Sequence, residues 1–200
     1  MIHPDTEIQY VDEKIGVGVF ATKLIPKGTI IWIQDELDMV LDEDYIESLD
    51  EARQDYIYKY SYEDDDGYVL CWDHARYMNH SFNYNCVDTA YGFELAVRDI
   101  HPGEQITCDY SAMGEDEDFE CVPEVGSVRT KITTNDYLIY YKEWDEKAAE
   151  AFKYFNKVSQ PLKHLIKAEL LEKVTAVANG TEPLDSILPL FIDEEGDDTQ

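Results

Sequence analysis

Three short segments of this chain carry residue types that could hold or act on a small group. The first, Ile15-Gly16-Val17-Gly18-Val19-Phe20-Ala21, alternates glycine with β-branched residues. A backbone without Cβ atoms can turn sharply or lie directly against a ligand. The segment therefore reads either as a glycine turn between strands or as a cofactor cradle. It lacks the third glycine and following helix of a dinucleotide fingerprint, which excludes a Rossmann site. The second segment, Arg76-Tyr77-Met78-Asn79-His80-Ser81-Phe82-Asn83-Tyr84-Asn85-Cys86, centres on an Asn-His-Ser triplet. No second His or Cys stands at ligand spacing from His80, so a metal role does not follow. A Cys86–His80 nucleophilic pair has no other protease feature beside it. The third, Gly103-Glu104-Gln105-Ile106-Thr107-Cys108-Asp109-Tyr110, is a turn leading into a strand that ends on a tyrosine. Such a hydroxyl can both donate and accept.

These segments need elements to position them. Residues 14–20 and 29–33 read as strands, separated by the Pro26 and Gly28 turn, with proline and glycine where a turn needs them. Residues 42–60 have helical spacing, with Tyr45, Ile46, Leu49, Ala52 and Tyr56 on one side. Asp64-Asp65-Asp66-Gly67 predicts a hairpin turn into 68–72, and 92–97 and 105–110 predict two more strands. Residues 143–158 place Trp144, Ala148, Ala151, Phe152 and Phe155 at helical intervals. A further helix is predicted from Pro161 through Leu162, Leu165, Ile166, Leu170 and Val174, ending at Gly180. Short strands followed by a helical pair indicate an α+β fold.

Composition narrows the function classes. Forty-four acidic against 16 basic residues give a net charge of −28. That field repels phosphate backbones, so direct nucleic-acid binding is not expected. It favours a cationic partner, or else serves solubility in a salty cytoplasm. Residues 1–128 hold 30 acidic and 7 basic side chains, a net of −23, densest over 35–66; residues 193–200 form a separate acidic tail. No signal peptide or membrane-spanning run is visible, which predicts a cytoplasmic or nuclear protein with no membrane partner. Cys71, Cys86, Cys108 and Cys121 show no C-x-x-C spacing and are expected to be free thiols.

Taken together and in this order, IGVGVFA, RYMNHSFNYN and GEQITCDY resemble the SET-domain protein lysine methyltransferases, as does the linker Arg98-Asp99-Ile100-His101-Pro102-Gly103-Glu104. The resemblance covers about residues 10–111. It implies a mostly-β SET fold of small sheets in which the Asn-His segment forms a pseudoknot, here followed by a C-terminal helical extension. The implied division is a SET domain over 1–118, a degenerate post-SET-like segment over 119–142, the helical extension over 143–192 and the acidic tail over 193–200.

The same resemblance implies S-adenosylmethionine as cofactor. It assigns the backbone of Ile15, Gly16 and Val17, with Gly18, to the methionyl part. The Asn79 side chain is assigned to the cofactor, the His80 backbone chiefly to its adenine, and Tyr60 (or Tyr58) to the wall of the cofactor or lysine channel. Tyr110 becomes the catalytic tyrosine. The implied substrate is a lysine in a basic protein, histone-like or ribosomal. A catalytically silent SET module binding a basic peptide is the alternative, and a small-amine methyltransferase a third reading. Two departures stand out. Many relatives carry a zinc-ligating cysteine where this chain has Phe82, and only Cys121 remains downstream, so no zinc site is expected. The C-terminal helices either close the lysine channel or serve as a packing appendage or homodimer face.

Overall fold

β-Branched residues punctuated by glycine turns cut the first half of the chain into short strands. In chain order these are β1 (Thr6–Tyr10), β2 (Val17–Ala21), β3 (Ile30–Ile33) and β4 (Met39–Leu41). Helices α1 (Glu43–Glu47) and α2 (Glu51–Tyr60) follow, then β5 (Tyr62–Asp64), β6 (Gly67–Leu70), β7 (Asn79–His80), β8 (Cys86–Asp88), β9 (Phe93–Ala96) and β10 (Thr107–Cys108). The remainder holds β11 (Phe119–Glu120), β12 (Lys131–Ile132), α3 (Asp136–Phe155), α4 (Ala168–Ala178) and α5 (Pro189–Ile192). The computed structural model describes residues 1–64, 66–113 and 118–192, so Asp65 and the acidic stretch 193–200 lie outside the described residues.

The strands pair as small sheets: β1 with β2, β3-β9-β8, and β4-β6-β5, all antiparallel, with the pairs β11–β12 antiparallel and β7–β10 parallel. Mixed helix and small sheets make this an α+β fold, as expected. A bulge between Ile30 and Trp32 interrupts the β3–β9 pairing. It lets Ile31 and Trp32 join one core with Val19, Ile25, Cys86 and Ala96, while Ile30 and Ile33 join another with Phe93, Leu95, Phe152 and Phe155. Both faces of β3 are therefore covered, and all four of its residues are buried.

Three predicted helices differ in extent from what forms. Residues 42–60 fold as two helices because two aspartates each cap a helix start. The Asp42 side chain accepts from the Tyr45 N–H, and Asp50 accepts from the Arg53 N–H. The buried residues are Ile46 and Ile57, while Tyr45 and Tyr56 are exposed. After Pro161 the chain makes a 3₁₀ turn at Lys163–Leu165 before α4 begins, which Gly180 then ends at φ +71°. α3 starts at Asp136, seven residues ahead of the expected start, where Thr133 Oγ1 donates to Asp136 Oδ1 across its first turn. Its face of Trp144, Ala148, Ala151, Phe152 and Phe155 is buried as the spacing predicts. No helix among the described residues is long and apolar enough to cross a membrane.

Candidate functional site

The glycine segment enters β2 through a turn organised by Asp12, whose Oδ1 accepts from the Lys14 and Ile15 N–H groups at 2.8 and 2.9 Å. Gly16 sits at φ +84°, and a Cβ there would meet nothing within 4 Å. Glycine is needed for the conformation, and the space beside it is open. Gly18 is different. A Cβ there would stand 2.7 Å from Gln105 Nε2 and 2.8 Å from Asn79 Nδ2. The missing side chain lets Asn79 reach across, where its Nδ2 donates to the Val17 carbonyl at 3.0 Å.

Asn79 and His80 pair in parallel with Thr107 and Cys108. Asn85 holds the return of the chain. Its Nδ2 donates to the Gln105 carbonyl at 2.7 Å and its Oδ1 accepts from the Thr107 N–H at 3.0 Å. Tyr110 leaves β10 with its N–H donating to His80 Nδ1 at 3.2 Å and its hydroxyl donating to the Met78 carbonyl at 2.6 Å. Accepting at Nδ1 puts the proton of neutral His80 on Nε2, a buried atom without a partner among the described residues. Burial depresses the His80 pKa, which keeps the ring neutral. Cys86 turns away from His80: its thiol donates to Glu94 Oε2 at 2.9 Å, and burial pushes its pKa well up. A Cys86–His80 nucleophilic pair is thereby excluded.

A cavity of about 810 Å³ opens beside Tyr110. Tyr110, Tyr60 and Met78 line it together with Tyr62, whose hydroxyl burial keeps protonated. Tyr58 lines it as well. Tyr60 is held edge-on against Tyr77 with ring centroids 5.3 Å apart. Glu63, Asp64 and Asp66 of the β5–β6 hairpin add acidic lining, accompanied by Lys59 and Arg76. Ile15, Gly16, Val17, Gly18, Asn79 and His80 lie outside the lining, grouped by the Asn79–Val17 bond. Tyr110 belongs to both places: its backbone is tied to His80, and its side chain faces the cavity.

Residues from the second half complete the site. Arg129 Nη1 donates to Asp109 Oδ2 at 2.6 Å, and its Nη2 donates to Ser111 Oγ at 2.6 Å and Asp136 Oδ2 at 2.7 Å. Its guanidinium lies between the rings of Phe82 and Tyr140, 4.3 and 4.1 Å from their centroids. Phe82 in turn meets His80 edge-on at 4.3 Å. Phe82, where the sequence resemblance implied a zinc-ligating cysteine in relatives, thus stacks on an arginine clasp. Sequence reasoning did not single out Arg129; its one signal was a lone basic residue at the end of a long acidic stretch. Buried Glu94 and half-buried Asp88, whose carboxylates also line the cavity, were missed as well. The signal for Glu94 was an acidic residue inside an otherwise apolar predicted strand; Asp88 closes β8, a strand the sequence reading did not predict.

No three His, Cys, Asp or Glu side chains among the described residues converge so as to hold a metal ion. Purified protein is expected to contain no stoichiometric zinc, and chelator to leave its Tm unchanged, whereas a structural zinc module would unfold on losing its metal. Metal analysis and a melting scan with and without chelator check this.

The donor set suits a cofactor with polar ends. The glycine backbone is open at Gly16, the Asn79 amide is fixed beside it, and the His80 Nε2–H awaits an acceptor. The family model described as SET domain matches residues 16–111. No curated protein matches the chain.

Proposed function

From the premise that this chain is a SET-domain family member over residues 16–111, we propose that it is an S-adenosylmethionine-dependent protein lysine methyltransferase acting on basic protein segments. The observation that carries the reading is Tyr110, tied through its backbone to the Asn-His strand while its ring faces an aromatic cavity. The parallel β7–β10 pairing, clamped by Asn85, supports a pseudoknot at this point.

When bound, S-adenosylmethionine supplies a methyl group on a positively charged sulfur. The chain's own part is positioning, since an in-line displacement needs little covalent help. The backbone of Ile15, Gly16 and Val17, with Gly18 kept bare, cradles the cofactor, and Asn79 and His80 add polar contacts. The Tyr110 oxygen, its proton engaged by the Met78 carbonyl, accepts a hydrogen bond from the target amine and so aims the nitrogen lone pair. An amine must be neutral to attack, and the desolvating wall of Met78, Tyr60 and Tyr62 favours that form. A silent binding module has no use for this hydroxyl geometry.

The basic-substrate reading rests on the net of −23 over residues 1–128 and on Glu63, Asp64 and Asp66 lining the cavity. Such a field draws in a lysine flanked by other cations. Screening confines it to about 10 Å near 0.1 M salt, so it acts mainly on encounter. Incubation with labelled cofactor and paired basic and neutral peptides bearing one lysine tests both parts. Methyl transfer to lysine is expected, with KM for the basic peptide rising with salt more than kcat falls. Asp64→Asn with Asp66→Asn should weaken the basic peptide selectively. Activity and stability rising together with salt would instead mark the acidity as a halophilic adaptation.

A further inference from the structure

The β3-β9-β8 sheet carries a polar row on the face turned toward the cavity. Trp32 is the cross-strand partner of Glu94, and Glu94 is the partner of Asp88. All three line the cavity. Neighbours across paired strands stand about 5 Å apart, so the row runs about 10 Å from β3 to β8. Its middle member is engaged, since Glu94 accepts from the Cys86 thiol. Its two ends are not. Trp32 is only 7% exposed, yet its Nε1–H has no acceptor, and Asp88 Oδ2 is buried without a donor. Buried polar atoms are almost always paired, so an orphan donor and an orphan acceptor on one cavity wall point to a missing occupant.

We propose that this row is a cation seat that receives the alkylammonium head of the side chain entering the cavity. The ammonium donates to Asp88 Oδ2. A water accepts both from the ammonium and from the Trp32 N–H and donates to Glu94, which accounts for every orphan in the row. The charge matches. Burial pushes the Asp88 carboxyl up to about 6, and burial together with the neighbouring Asp88 charge raises Glu94 well above the usual carboxylate range, so the row resists carrying two negative charges at once. That suits one monovalent head. Apolar side chains of the same length would leave Asp88 buried and unpaired, which costs more than it returns. The seat therefore selects a charged amine at entry, while Tyr110 orients the neutral one. That the head belongs to a lysine rests on the methyltransferase reading; the seat itself does not.

The test uses the full chain with n-butylammonium as probe and n-butyltrimethylammonium and n-butanol as comparisons. The indole N–H resonance of Trp32, one of three tryptophans, is assigned by its loss in Trp32→Phe. In titrations at constant ionic strength, n-butylammonium is expected to shift that resonance saturably. Asp88→Asn, which keeps the side chain's shape, should weaken this binding at least tenfold. Exposed Glu47→Gln should leave it unchanged, and unmoved Trp72 and Trp144 resonances verify the fold. The trimethylated probe, having no N–H to give Asp88, should bind at least tenfold more weakly, and butanol should not compete. A shift produced equally by potassium chloride, or binding unaffected by Asp88→Asn, overturns the seat even if lysine peptides are methylated. Asp88-dependent probe binding without any lysine methylation would sink the enzymatic reading and leave the seat standing.

Discussion

Tyr110→Phe is expected to lower kcat about 100-fold or more while leaving cofactor affinity within a few-fold of the parent, because loss of one positioned transition-state donor or acceptor costs about that much. The substitution removes one oxygen and little else. The Tyr110 N–H to His80 Nδ1 bond is made by the backbone and survives. The hydroxyl bond to the Met78 carbonyl disappears. Asn79→Ala is the reciprocal case. It removes the amide that spans to Val17 beside the glycine backbone, so it should weaken S-adenosylmethionine binding and leave the Tyr110 geometry in place. Calorimetric cofactor binding and single-turnover methylation, measured on both variants, separate the two effects. Methylation at the parental rate in both would remove the assignment of this site.

Arg129→Leu is expected to cost about 3–5 kcal/mol of stability, the range for breaking a buried ion pair by deleting one partner. The side chains of Asp109 and Asp136 are 2% and 8% exposed, and both lean on this one guanidinium. Arg129→Lys should fall nearly as far. An ammonium cannot donate in a planar fork to two carboxylates and a hydroxyl while stacked between two rings. Removing all three charges, with Asp109→Asn and Asp136→Asn added to Arg129→Leu, should recover most of the loss, since uncompensated charge is the main cost.

The pH dependence has a definite sign. Asp136 is held below the usual carboxylate pKa: burial works to raise it, but the Thr133 and Arg129 hydrogen bonds outweigh that. In the parent this contributes stability that is present above the unfolded carboxylate pKa and lost as pH falls through the lower folded value. In Arg129→Leu the stranded Asp136 gains a raised pKa, so that variant recovers as pH falls. The gap between the two should therefore narrow from pH 7 toward pH 4. Denaturant unfolding at several pH values measures it, and a gap that widens on acidification would contradict the clasp. Asp109 and Ser111 flank Tyr110, so turnover at low temperature should drop as well, even where the fold persists.

Those expectations rest on two kinds of knowledge. What the sequence determined by itself is local. Gly16 takes a positive φ that few other residues tolerate, and Gly18 must stay bare wherever another side chain crosses it. Asn79, His80 and Tyr110 stand in segments whose order and spacing were readable before any fold was known, and the structure ties Tyr110 to His80. The buried stripe of α3 was readable for the same reason: a 3.6-residue period states which side chains share a face whatever lies opposite. Even the split of residues 42–60 into two helices had its signal, the second capping aspartate at Asp50.

The clasp and the polar row were not legible, because each joins residues whose nearness depends on how distant segments pair. Arg129 bonds Asp109 across 20 positions. Trp32 meets Glu94 through a β3–β9 pairing that skips five intervening strands and contains a bulge. Alternation along a strand assigns each side chain to one of two faces, but it does not name the neighbouring strand or the register. A slip of one residue would turn Glu94 toward Phe152 and the apolar core instead of the cavity. Only the packed structure decides that, since register is set by burying Phe93 and Leu95 against α3 on the far face.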